Sequence, residues 1–421
     1  MKRLFSSVLT IALIGALIGC SNDNNNDIIP PGGGGGGGGG EANYTLSENI
    51  TKDMTLTADN IWTLEGRVSV TSGATLTIEP GTIIKGMTGT GADASSLIIA
   101  RGAKIMANGT ADKPIIFTSI TDNIKVGEMA QTNLTVNDRG LWGGVLILGY
   151  APVSLEGGKE DGQIEGIPAS DTNAKFGGTN AADNSGVFNY VSIRYAGTII
   201  APDNEINGLS LGGVGSGTTI SNLELMAAKD DGIEFFGGTV NVSNVLVWSQ
   251  ADDGLDIDEA YSGTISNSAV IEGNQSDSGM EIDGPEGPSQ ASFTAKNITL
   301  IGNTDALGSH IVDMRDGTQG TLDNIYATGF KTTADVNIAD NKTAQSFLDG
   351  KLIFKNWVID GFENPSNLFI ESISDKKGDT VQLITDPLFS VQAESWVKAG
   401  TTGGADMSVF AWTQASASGA F

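Results

Sequence analysis

The chain has 421 residues, with 50 Asp and Glu against 23 Lys and Arg, a formal charge of −27, and 58 glycines but only 11 prolines. So negative a balance argues against nucleic acid as a partner and against charge-driven docking on an anionic membrane, and it suits cations or uncharged ligands. A single cysteine and a single histidine exclude a disulfide scaffold and a His-cluster zinc site.

Residues 1–19 read as a signal peptide, with Lys2-Arg3 ahead of an apolar run from Leu4 to Leu17 that is short for a membrane span. The following Leu17-Ile18-Gly19-Cys20 resembles the lipobox of bacterial lipoproteins. That resemblance implies that Cys20 is acylated and becomes the new N-terminus, which places the chain on a membrane through its lipid. Residues 20–44 form an Asn-rich and Gly-rich tether, with an unbroken glycine run from Gly32 to Gly40. Such a segment has too little apolar surface to fold and spans roughly 25 Å as a flexible leash. Its Ser21-Asn22-Asp23-Asn24 start resembles the export signals of surface lipoproteins, so the expected location is the outer membrane, exposed at the cell surface.

Residues 45–361 carry the folded body. Trp62-Thr63-Leu64, Val68-Ser69-Val70 and Ala74-Thr75-Leu76-Thr77-Ile78 alternate apolar and polar, as half-buried strands do. From about 152 to 186 this pattern stops, and a stretch of that length is more often a functional loop or covering flap than a linker. The pattern returns as a repeat of 22 to 25 residues. Asp230-Asp231-Gly232-Ile233-Glu234-Phe235 is echoed by Asp252-Asp253-Gly254-Leu255-Asp256-Ile257 and then by Asp277-Ser278-Gly279-Met280-Glu281-Ile282. Short strands repeating at that period are the mark of a stacked solenoid.

Seven asparagines, Asn189, Asn222, Asn244, Asn267, Asn297, Asn324 and Asn356, each precede a short strand. Asparagine tolerates the left-handed backbone of a tight corner, and stacked amides bond one another. Here the chain resembles the right-handed parallel β-helix of the pectate-lyase-like superfamily, which carries an asparagine ladder at one corner. The fold expected is all-β, a right-handed single-stranded parallel β-helix, with residues 362–421 as a C-terminal cap over the open end.

That register turns Ile233, Phe235, Leu255, Ile257, Met280 and Ile282 inward and leaves Glu234, Asp256 and Glu281 in one outward column, with Asp258 and Asp283 in a second. Ser210 begins the first column, and Asp313 and Arg315 extend the two. The pairs Asp230-Asp231 and Asp252-Asp253 enter from the adjoining turn. Carboxylates on rungs about 4.8 Å apart repel by roughly 3 kcal/mol per pair at an intermediate dielectric. Lys229 is the only basic residue from Ala228 to Asp283. A hard cation such as Ca²⁺ is therefore expected between the rungs of Glu234, Asp256 and Glu281, assisted by Asp231, Asp253 or Asp258. The alternative is a plain solvated face, with raised carboxyl pKa values or with lysine and arginine partners supplied by loops.

Catalytic patterns are weak. Gly208-Leu209-Ser210-Leu211-Gly212 spells the hydrolase elbow, yet it lies inside a strand rather than before a helix. Asn303-Thr304-Asp305 and Gly308-Ser309-His310 resemble fragments of polygalacturonase motifs in the wrong order. If the face catalyses anything, Asp256, Asp258 and Arg315, with Lys229 as a second candidate base, are the groups at hand. The phrases Asn204 to Gly215 and Asp230 to Thr239 resemble a group of β-helix surface lipoproteins found with TonB-dependent outer-membrane receptors. That resemblance implies a non-catalytic capture or accessory module for a glycan or another nutrient. A Ca-dependent polysaccharide lyase or glycoside hydrolase is the alternative, and a structural or adhesive surface protein is a third.

Overall fold

Strands of four to nine residues separated by Gly, Asn and Asp turns bury only one face each, and they reach stability by stacking. The computed structural model describes residues 44–130, 133–165, 167–201, 204–308, 310–372 and 384–421, and the signal peptide, Cys20 and the tether up to residue 43 lie outside them. Within these residues the chain coils as a right-handed parallel β-helix. One sheet has ten parallel strands, running from Arg67–Val70 through Ser96–Ile99, Gly144–Leu148, Leu209–Gly212, Ile233–Phe236, Leu255–Asp258, Ser278–Asp283, His310–Arg315 and Asp335–Ile338 to Phe369–Glu371. We call it the acidic sheet. The other has sixteen strands and includes Gly186–Arg194, Thr219–Met226, Val242–Trp248, Thr264–Ile271, Phe293–Ile301 and Gly320–Thr328. These longer strands bend in the middle and so supply two walls of each coil.

The bend is the asparagine corner. Asn222, Asn244, Asn267, Asn297, Asn324 and Asn356 all have φ between 49° and 57°, the left-handed region that asparagine enters most cheaply after glycine. Asn244 Nδ2 donates to Asn222 Oδ1 at 2.9 Å, and Asn267 Nδ2 donates to Asn244 Oδ1 at 2.7 Å. Asn189 differs from the expectation. It pairs with Ser221, and Tyr190 takes the corner with φ 49°. Its amide still joins the file, accepting from Asn222 and donating to Asn108, both at 2.8 Å. At the far end Asn356 donates to Asp323 rather than to Asn324.

Ile233, Phe235, Leu255, Ile257, Met280 and Ile282 are buried in the continuous core, each contributing about 1.5–3 kcal/mol relative to exposure. The glycine of each repeat is fixed by the close approach of the coils. A Cβ on Gly232 would lie 2.3 Å from a Val247 methyl, and one on Gly254 would lie 2.5 Å from a Val270 methyl.

Two long segments cover the outside of the coil. Residues 150–165 and 167–185 fold back over the acidic sheet and contain a small hairpin, Gly162–Gln163 against Lys175–Phe176. Its Phe176 packs on Phe236, and Arg101 holds it through Gly177 O and the Asp161 carboxylate. The C-terminal segment adds Phe369–Glu371 to the acidic sheet and Val397–Ala399 beyond Trp357–Ile359, and packs Phe389 and Trp396 against Phe354 and Phe369. From there it runs back along the bent sheet. Ala405 N donates to Thr299, Asp406 N to Asn267 Oδ1 and Ala415 N to Glu224. Phe410 fills an apolar strip of Leu246, Ala269 and Ile271.

Candidate cation-binding face

The repeat places the acids in register. Ser210, Glu234, Asp256, Glu281, Asp313 and Asn337 follow one another across neighbouring strands. In the second file Phe236 faces Asp258, and Asp283 faces Arg315. These are the two columns expected from the sequence. Their surroundings are not the expected open surface. Glu234 is 6% exposed, Asp231 7% and Asp253 4%.

The turn into the sheet carries a ladder of its own. Asn207 Oδ1 accepts from Asp231 N at 3.3 Å, Asp231 Oδ1 from Asp253 N at 3.0 Å, and Asp253 Oδ1 from Ser278 N at 2.8 Å. One carboxylate oxygen of each aspartate thus orders the next rung. The same carboxylates make up three acidic groups in which one oxygen from each member lies within 4.8 Å of the others: Asp231 with Glu234 and Asp256, Asp230 with Asp231 and Asp252, and Asp252 with Asp253 and Asp277. Asp256 Oδ1 is buried without a hydrogen-bond partner, although the residue as a whole is partly exposed.

Burial pushes Asp231, Glu234, Asp253 and Asp256 well above the usual carboxylate range, and neighbouring carboxylates push the same way. Asp258 is raised to about 7, mostly by burial, with its bond from Glu259 N opposing. Glu259 rises to about 9 from burial and the charge of Asp258. Crowded carboxyls of this kind favour a proton or a cation over bare charge. Carboxylates as the ligands suit a hard, oxygen-seeking ion of the Ca²⁺ type.

Glu281 departs from the expected ligand set. Arg315 binds its carboxylate and also donates to Asp283 at 2.7 and 3.1 Å. The pocket therefore closes on Asp231, Glu234 and Asp256, and Glu281 and Asp283 answer Arg315 instead. Burial alone would lower the Arg315 pKa, but the bond and charge of Asp283, with Glu281, hold it above its ordinary value. A guanidinium held charged in this way is a poor base. His310 is likewise engaged: Nδ1 lies 2.6 Å from Asp335 Oδ1, and that bond raises its pKa against the opposing effect of burial. Ser210 sits in a strand, buried, 3.4 Å from Asn207 Nδ2.

Asn207 and Asp277 belong to this face and escape a reading based on alternation. Asn207 Nδ2 donates to Glu234 and steadies the innermost acid. The signal for it is Asn207-Gly208, the same acid-or-amide-plus-glycine step as Asp231-Gly232 and Asp253-Gly254.

An all-parallel coil whose one sheet carries a half-buried file of acids defines a parallel β-helix protein with an acidic face. A family model described as the pectate-lyase like beta helix domain matches residues 48–416, and the chain belongs to that family. Comparison with curated proteins and with solved structures gave no match.

Proposed function

We propose that the protein is a membrane-anchored extracytoplasmic lipoprotein that captures a ligand, a glycan or another nutrient, and holds a Ca²⁺-type cation on its acidic face without catalysing a reaction. The observation that supports this most is the triad of Asp231, Glu234 and Asp256, with a buried Asp256 oxygen that no protein group satisfies. A buried acceptor left unpaired costs about 1–3 kcal/mol, more when charged, and a cation removes that cost. Of the candidate bases, Arg315 is bound by two carboxylates and held charged. The Cys20 lipobox supports attachment to the outer membrane at the cell surface, and no helix among the described residues is long and apolar enough to cross a membrane. A TonB-dependent receptor is the partner this arrangement suits, with the Asn-rich and Gly-rich tether supplying the reach.

The deciding experiment is thermal unfolding of the chain with Ca²⁺ and with chelator. A ligand at a hundredfold its dissociation constant stabilises by about 2.7 kcal/mol. Asp256→Asn with Glu234→Gln should abolish the response, and melting that ignores millimolar Ca²⁺ in the unaltered chain refutes the cation site. Release of reducing ends or unsaturated uronate from any polysaccharide would refute the non-catalytic reading. Cys20→Ala should free the protein from the membrane fraction.

A further inference from the structure

The corner after the acidic sheet is a short turn in most coils, such as residues 237–241 between Ile233–Phe236 and Val242–Trp248. One coil replaces it with the helix Asn341–Leu348, set between Asp335–Ile338 and Leu352–Lys355. The helix is bolted to the preceding coil. Asp340 caps it by accepting from Thr343 N at 2.9 Å and also accepts from Asp316 N, while Gly317 N donates to Thr343 Oγ1 at 2.9 Å. Between this helix and the loop after Asp283 lies an open groove of about 590 Å³.

Its lining is unlike that of the acidic pocket. Four primary amides, Gln290, Gln319, Asn341 and Gln345, face it. Its lysines are matched with aspartates, Lys342 with Asp316 at 3.7 Å and Lys351 with Asp349 at 3.1 Å, so neither stands alone as an anchor for an anion. None of the lining residues is aromatic, which removes the usual basis for an apolar ligand. Gln319 Nε2 donates to Gln290 Oε1 at 2.5 Å, a bond that engages one half of each amide and sets the orientation of both. A primary amide offers two donors beside an acceptor, the complement of a row of hydroxyl groups.

We propose that this groove binds a neutral, hydroxyl-rich chain, an uncharged oligosaccharide, read by side-chain amides. The proposal rests on the capture reading above and locates its ligand away from the cation pocket. Contact through amides without stacking gives weak binding per sugar, so a polymer that occupies the groove repeatedly is favoured over a monosaccharide.

The test is affinity electrophoresis of the full chain in gels containing soluble neutral polysaccharides, among them a β-glucan, a galactomannan, a xyloglucan and dextran. Retardation by at least one of them is expected. Gln290→Ala with Gln319→Ala should weaken it at least tenfold, as should Gln345→Ala, with unchanged melting showing that the variants are folded. Chelator should leave it intact. Retardation that survives the groove variants, or that is lost in chelator, overturns the groove and keeps the capture reading. Retardation by none of the gels overturns the groove as well, and the capture reading then stands or falls on a non-glycan ligand.

Discussion

Two corners of the same coil carry side-chain ladders, and they differ by a single atom type. At the asparagine corner an amide can both donate and accept, so Asn267 feeds Asn244, Asn244 feeds Asn222 and Asn222 feeds Asn189. At the acidic corner Asp231 and Asp253, when ionised, can only accept. Each takes a backbone N–H from the next rung with one oxygen and brings its carboxylate into an acidic group. The amide ladder is therefore structural in a complete sense. The carboxylate ladder builds the same coil and keeps acceptors over, which is what a binding site needs.

The largest expected consequence is in pH dependence. Asp258 and Glu259, with folded pKa values of about 7 and about 9, lie above their ordinary 3.8 and 4.5, and Glu272 reaches about 8. A carboxyl raised on folding stabilises the fold fully below its unfolded pKa, and that contribution is lost as pH rises through the folded value. Stability in chelator should therefore fall as pH climbs from about 4 to about 9. The loss should reach several kcal/mol in total, at roughly 1.4 kcal/mol for each tenfold gain in proton affinity on folding. Ca²⁺ should restore it at the alkaline end. Denaturation midpoints across that range check it, and a flat profile in chelator would show the acids to be solvated.

What the sequence makes legible follows from what repeats. The coil, the inward residues and both acidic columns rest on period two and on the recurring Asp-Gly step, and the structure pairs Glu234 with Asp256 and Asp256 with Glu281 accordingly. What does not repeat stays hidden. The segment at 150–185 has no period to reveal that it lies over the acidic sheet and helps to bury it. The run back along the bent sheet joins residues far apart in the chain, such as Ala415 and Glu224. Alternation puts Arg315 in the right file but says nothing of which carboxylate a long side chain will choose. Tyr190 takes a corner because a neighbouring asparagine still reaches the ladder from one position earlier.

Exchanging the chemistry of the corners sharpens the contrast. Asn244→Asp removes the donor to Asn222 Oδ1 and sets two acceptors face to face, a loss of about 1–3 kcal/mol. Asp253→Asn does the reverse. It keeps an acceptor for Ser278 N and removes a carboxyl that burial, with Glu281 and Asp252, holds against ionising. It should stabilise the chelated protein by about 1 kcal/mol at neutral pH and weaken its response to Ca²⁺. Chemical denaturation of both variants with and without Ca²⁺ reads the two signs directly, and losses of equal size and sign would mean that the corners are equivalent.

The smallest effect asks whether the amide ladder works through its bonds or through its backbone. Glycine adopts the left-handed corner without strain, so Asn→Gly keeps the conformation and removes the side-chain bonds. At Asn244, half-buried, that deletes the donation to Asn222 and the acceptor for Asn267, about 1–2 kcal/mol in all. Asn356 is exposed, and its amide donates to Asp323 at 2.7 Å. Water replaces that partner when the side chain is removed, and the cost should be about 0.5 kcal/mol. A ladder held by amide bonds predicts that difference in urea midpoints between the two variants. Equal midpoints would place the value of the asparagines in their left-handed backbone alone, and the likeness between the two corners would then be one of shape and not of hydrogen bonding.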